Sequence, residues 1–372
     1  MNKRGASLAF EALVAGDEAK LGELCEWLAG NEGVAGRYLV DDLRAEARAA
    51  AVGDSKGGVD ALLLELENRP DSMLVAFFPA ASASTVCQLS GAWVGPAVDL
   101  TSAAPSKRAL MAWPERGDTL TVITYHPAQG RLGAIRNADW LQTVLGAIGL
   151  ASYAYSRTLT PVGLCPGRGS ALFLSTASGE PDAVDHAALL SPTPPAAAEI
   201  ANLFSAKESR DLLIDATARI PSDLVQHRLT LAAWWLQLAA STISTADALV
   251  ALGIALETIS GDDKKESVVE KVTKRSAVFL ASSAPADERI DIYYDELKRA
   301  QKYYASRSRA AHGRYDPWIE DQSNADAVRA EFHRFVLDVA LGFREHARAR
   351  NMRDSDDLIR WWKRVELEGI FA

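Results

Sequence analysis

The residues best suited to chemistry in this chain lie in one stretch, LKRAQKYYASRSRAAHGRY, residues 297–315. It carries Lys298, Arg299, Lys302, Arg307, Arg309 and Arg314 with no acidic residue among them, in a chain of net charge −9. Tyr303, Tyr304 and Tyr315 are interleaved with the cations. Aromatic rings beside cations are a means of holding single-stranded RNA, by stacking on bases and contact with phosphates. The simpler reading of the same residues is a solvated basic helix face whose tyrosines pack inward. Inside the run, Arg307 and His312 form an Arg-x4-His pair. A guanidinium offers a planar fork of donors for a phosphate, and an imidazole can give or take a proton near neutral pH. The spacing alone is weak, because chance places an Arg five residues before a His in about one of two chains of this composition.

Those side chains need a helix to position them, and the pattern predicts one over 286–311, with Gly313 as its stop signal. On a continuous helix, Arg307 and His312 point about 140° apart. They therefore cannot meet at one phosphate unless the helix ends between them or a second copy supplies one of the pair. Ser308, four residues before His312, shares its face.

The rest of the back half also reads helical. Segments 222–242 (capped by Ser222), 245–260 (ending at Gly261), 266–282, 324–349 and 355–367 follow one another with no strand signal, preceded by 196–218. In 324–349, Phe332, Phe335, Val336, Val339, Ala340 and Phe343 form a single apolar stripe, as a core-facing helix requires. The front half differs. Short helices at 7–15, 17–30, 36–51 and 58–68 precede strand-like runs at 73–79, 85–89, 108–113 and 119–125. A helix at 138–149, capped by Asn137, and a strand at 171–176 follow. SPTPPAAAE (191–199) is the best linker, since its prolines forbid a helix. The expected division is an α+β domain over 1–190, a linker at 191–200, an all-α bundle over 201–350 and a helical extension over 351–372.

Here the sequence resembles a known family. HRLTLAAWWLQLA (227–239), ALGIALETI (251–259), EKVTKRSAVFL (270–280) and YYASRSRAAHG (303–313) occur in the order found in the HEPN domain (higher eukaryotes and prokaryotes nucleotide-binding), specifically its Apea-like group, over roughly residues 220–347. The last stretch carries that family's Arg-x4–6-His signature and the polar residue after the Arg, Ser308. The α+β front part read from the pattern lies outside this resemblance, which implies that a HEPN-like helical bundle follows it and that a homodimer forms through those helices. The resemblance further implies metal-independent cleavage of RNA by attack of a ribose 2′-OH on its own 3′-phosphate, in phage defence or as a regulated toxin. In that reading His312 transfers protons, Arg307 stabilises phosphorane charge and Ser308 orients the phosphate or the histidine. Arg309, Arg314, Lys302 and Tyr304 bind RNA, and Glu257 stands behind them at most. No cofactor or metal is expected. A regulatory partner or ligand is expected on the front part. Many members of this family lack nuclease activity, so a binding or dimerisation module is the rival expectation.

Composition bounds the remainder. A chain of 372 residues can bury a full core without staples, and no run approaches the length of a membrane span. Three scattered cysteines, Cys25, Cys87 and Cys165, favour a reducing cytoplasm over a disulfide framework or zinc site. The net charge of −9 argues against coating nucleic acid by bulk electrostatics. Gly163–Ser170 lacks the lysine and following helix of a phosphate loop and reads as a turn. His126 ends a strand, while His186 and His227 read as partly buried histidines. Of the adjacent pairs Trp234–Trp235 and Trp361–Trp362, one member each is expected in the core.

Overall fold

A computed structural model describes residues 1–53, 57–69, 71–82, 85–96, 119–156, 167–174, 189–191, 203–242, 244–261, 268–313 and 322–368. The chain opens with helices α1 (Lys3–Val14), α2 (Leu21–Ala29), α3 (Val40–Val52) and α4 (Gly58–Asn68). Asn2 caps α1 by accepting the Gly5 N–H at 2.9 Å. These helices enclose a core of their own, in which Phe10, Leu24, Leu28, Leu43, Leu62 and Leu66 are buried. Arg37 fastens this unit to the chain beyond α4. Its guanidinium donates to the carbonyls of Glu67 (2.7 Å), Arg69 (2.7 Å) and Pro127 (2.9 Å).

Among the described residues, six strands form an antiparallel sheet in the order β2-β3-β4-β1-β5-β6: β1 (Ser72–Ser82), β2 (Cys87–Leu89), β3 (Ala92–Pro96), β4 (Thr119–His126), β5 (Gly167–Leu174) and β6 (Leu189–Ser191). In the central strand, Val75 faces Ile123 of β4 on one side and Leu172 of β5 on the other. β3 lies where the sequence pattern predicts no strand. The expected strand at 108–113 and the linker's 192–199 lie outside the described residues, as does His186.

One face of the sheet is covered by α5 (Gly130–Ser156). This helix starts seven residues before Asn137, which is no cap. Asn137 is buried mid-helix because its Nδ2 finds acceptors there, donating to Ser72 Oγ at 2.9 Å and Gly133 O at 3.0 Å. The other flank of α5 meets the back half. A Cβ on Gly146 would lie 1.9 Å from the carbonyl oxygen of Ala233, so the two helix backbones touch there. Tyr153 donates to Asp338 Oδ1 at 2.6 Å. One hydrophobic core therefore runs from Leu74, Val94 and Val122 of the sheet through Leu141, Val144 and Ile148 of α5 to Leu252, Phe332 and Phe343. The core divides after α4 rather than at 191–200. A proline cluster breaks a helix; it does not break packing contributed by elements on either side of it.

The back half comprises α6 (Lys207–Ala216), α7 (Leu224–Ser241), α8 (Thr245–Ser260), α9 (Val268–Ala281), α10 (Arg289–Ala311), α11 (Gln322–Ala349) and α12 (Ser355–Glu368). Asp223, not Ser222, caps α7 by accepting the Gln226 N–H at 2.9 Å. The expected apolar stripe of α11 is buried throughout. α8 sits at the centre, packed by α7, α9, α10 and α11. Buried arginines close helix ends, where carbonyls lack partners and the dipole is negative. Arg228 donates to the carbonyls of Thr258, Ile259 and Gly261 at 2.8–3.0 Å, and Arg275 to that of Ser260 at 3.1 Å. Arg329 donates to Ala239 O at 2.7 Å and Thr242 O at 2.9 Å, closing α7. No helix among the described residues is long and apolar enough to cross a membrane.

Candidate functional site

The site is built where the last turns of α10 cross α8. α10 ends as the sequence indicates: Ala311 is its last residue, His312 its C-cap (φ −94°, ψ 13°), and Gly313 follows in the left-handed region at φ +64°. The His312 N–H still donates to Ser308 O at 3.1 Å and the Gly313 N–H to Ala310 O at 3.1 Å. The last turn thus fixes the backbone of His312 while its side chain stands exposed to solvent. Ser308, on the same face, is half-buried.

Arg307 is held quite differently. Its side chain is 24% exposed, and its Nη2 lies 3.1 Å from Glu257 Oε1 on α8. The same oxygen accepts the Tyr304 hydroxyl at 2.5 Å. The Arg307 guanidinium also sits 5.5 Å from the centre of the Tyr304 ring, in cation–π range. Burial, then the Glu257 hydrogen bond and charge, push the Tyr304 hydroxyl up to about 12, with Arg307 pulling the other way. The phenol therefore stays protonated and donating. The Arg307 stem lies against the α8 backbone at Gly253, where a Cβ would come within 2.2 Å of Arg307 Cγ. Only a glycine lets the arginine lie so close.

Other expected site residues fall in varied places. Tyr304 is 6% exposed, and Tyr303 is 3% exposed and stacked on Phe332 at 5.2 Å. Tyr304 therefore offers no ring face to a base, contrary to its expected RNA-stacking role. Helical spacing turns it inward, in line with the simpler reading of the run. Lys302 is exposed and lies 3.5 Å from Glu331. Arg309 is exposed, with Nη2 3.4 Å from Ser306 Oγ. Arg314 and Tyr315 lie outside the described residues. The run of cations is also less bare than the sequence suggests. Lys298 pairs with Asp295 at 3.6 Å and Arg299 with Glu296 at 2.7 Å, both just before the run begins. Glu257 and Glu331 join it from other helices.

Elsewhere, His227 is exposed rather than partly buried, and Trp362 is the buried member of its pair. His126 is tied locally, its Nδ1 accepting the Ala128 N–H at 2.9 Å. Among the described residues, no three His, Cys, Asp or Glu side chains converge as a metal site requires. The arrangement offers one solvent-facing imidazole and, five residues earlier on the same helix, one anchored guanidinium paired to a carboxylate. No family model, curated protein or solved structure matches the chain.

Proposed function

We propose that the chain is a metal-independent RNA endonuclease of HEPN type, acting as a homodimer through its back-half helices, in phage defence or as a regulated toxin. The front part would restrain it or sense a ligand or partner. The observation that carries this reading is a solvent-facing His312 at the end of α10 and, five residues earlier on the same helix, an Arg307 immobilised by Glu257, Tyr304 and the glycine of α8. Two copies of the helix end facing one groove supply two imidazoles, which the reaction needs. One accepts the proton of the ribose 2′-OH as that oxygen attacks its 3′-phosphorus. The other donates a proton to the 5′-oxygen as the P–O5′ bond breaks. The products are a 2′,3′-cyclic phosphate and a 5′-OH, and each proton transfer is worth about 10²–10⁴ in rate. Arg307 would meet the charge growing on the non-bridging oxygens.

The test incubates the full chain with single-stranded RNA in the presence of a chelator and examines the ends formed. Cyclic phosphate ends that vanish in His312→Ala and Arg307→Ala, with circular dichroism unchanged, are expected. Cleavage at full rate in both variants refutes the reading. A second reading, a HEPN-type binding or dimerisation module, draws support from the carboxylates that pair with Lys298, Arg299, Lys302 and Arg307. It predicts a dimer and no products after long incubation.

A further inference from the structure

Between α10 and α11 lies a cleft of about 350 Å³ lined by Arg299, Lys302, Tyr303, Glu331 and Arg334. Three cations thus line it with a single carboxylate. Its floor is rigid, because the Tyr303 ring is stacked on Phe332 at 5.2 Å with 9° between the planes, and lies 5.2 Å from Phe335. The cations differ in how firmly they are held. Glu296 takes both of its contacts from one nitrogen of Arg299, Nη1, at 2.7 and 2.8 Å. Lys302 and Glu331 stand 3.5 Å apart with 60% and 51% of their side chains exposed, a pair of little strength in water. Arg334 is exposed, and among the described residues no carboxylate lies within ion-pairing distance of it. Tyr303 adds a hydroxyl, 3.4 Å from Glu331 Oε2.

A cationic cleft over an aromatic floor, with one cation unpaired and another loosely paired, suits a phosphate better than a carboxylate-bearing protein surface already answered by Glu296 and Glu331. We infer that this cleft is a subsite for a backbone phosphate of a single RNA strand lying along α10, with Arg334 and Lys302 as its anchors. Lys302 stands ten residues before His312, about 15 Å along the helix axis. The phosphate held here is therefore not the one cleaved but another on the same strand. The inference rests on the RNA-cleaving reading for its choice of strand, while the cleft's preference for phosphate rests on its own residues.

The experiment measures binding, not cleavage: fluorescence anisotropy of the full chain with a labelled single-stranded RNA carrying 2′-O-methyl groups throughout, over a series of salt concentrations. Arg334→Gln should weaken binding about fivefold and reduce the slope of log K against log salt by about 0.7, the share of one phosphate on a single strand. Glu331→Gln should tighten it, since a carboxylate leaves the cleft; a merely structural role for these residues would not give opposite signs. Lys363→Gln, an exposed cation on α12, serves as the control and should leave both quantities unchanged. Undiminished affinity and slope in Arg334→Gln, or equal losses in Lys363→Gln, would overturn the subsite. If binding follows this pattern while no cleavage products form from unmodified RNA, the nuclease reading falls and the subsite stands. Cleavage with undiminished binding in Arg334→Gln has the reverse consequence.

Discussion

Replacing Gly253 with alanine separates what Arg307 does for the fold from what it does for chemistry. An alanine in the interior of α8 gains about 1 kcal/mol over glycine in helix propensity. Its Cβ, however, would lie 2.2 Å from Arg307 Cγ and 3.1 Å from Arg307 Cβ and Cδ, so the arginine stem must leave its position. A side chain forced off its rotamer costs about 0.5–1.5 kcal/mol. Loosening the ion pair with Glu257, each partner about a quarter exposed, costs roughly another 0.2–1 kcal/mol. The opposing terms run from about 0.3 kcal/mol of gain to about 1.5 kcal/mol of loss, so Gly253→Ala is expected to be less stable by about 0.6 kcal/mol, a melting shift of about 1 °C. In an Arg307→Ala background the stem is gone, so the same glycine replacement should instead stabilise by about 1 kcal/mol. That reversal of sign, read from urea unfolding of the four proteins in the cycle, depends on packing alone. Activity follows a different course. If the guanidinium must meet a phosphorane, its displacement costs about 10² in cleavage rate, with no further loss when Arg307→Ala is added. Gly253→Ala that destabilises equally in both backgrounds would refute the close approach; wild-type cleavage by it would refute the role given to Arg307.

Three further outcomes follow from the packing. Gly146→Ala should lose about 2–3 kcal/mol in urea unfolding, because its Cβ meets the Ala233 carbonyl, which cannot swing aside as a side chain can; unchanged stability would deny that α5 lies on α7. Arg228→Met should cost about 3 kcal/mol, since three carbonyls at the end of α8 lose one buried guanidinium, and a loss below about 1 kcal/mol would show that other donors suffice. His346, packed between Phe279 and Trp361 at 5.4 and 4.5 Å, is pushed down to about 3 by burial and then by the charge of Arg350. Its folded value lies below the unfolded one, so the unfolded chain binds the extra proton and stability falls as pH drops below about 6.5. Between pH 7 and 5 this residue accounts for about 2 kcal/mol. His333 is shifted the same way, so the check is the difference between wild type and His346→Leu across that interval. Parallel pH profiles for the two proteins would refute the shift.

What could be read from the sequence, and what could not, depends on the range over which each signal acts. The stripe from Phe332 to Phe343 and the stop at Gly313 are local: periodicity and a left-handed glycine act within a few residues, and both are found as expected. Asn137 shows the limit of such rules. Its side chain has the chemistry of a cap, but Ser72, distant in sequence, supplies the partner that lets it sit mid-helix. The same holds for the boundary expected at 191–200, where prolines are visible in the sequence and the contact of Gly146 with Ala233 across it is not.

The basic run is the sharpest instance, because a charge count runs along the chain while Coulomb's law acts through space. A window starting at Leu297 excludes Asp295 and Glu296, one turn away from Lys298 and Arg299. No window includes Glu257 or Glu331, which α8 and α11 deliver. Within a Debye length of about 8–10 Å, these carboxylates cancel much of the field that the sequence assigns to α10. A phosphate approaching this helix therefore meets not a uniform cationic face but particular exceptions to the pairing, of which Arg334 is the clearest. Arg307 itself is reached only in competition with Glu257. The charge that matters for any anion here is set by which cations α8 and α11 leave unanswered, and that is decided by how the helices pack.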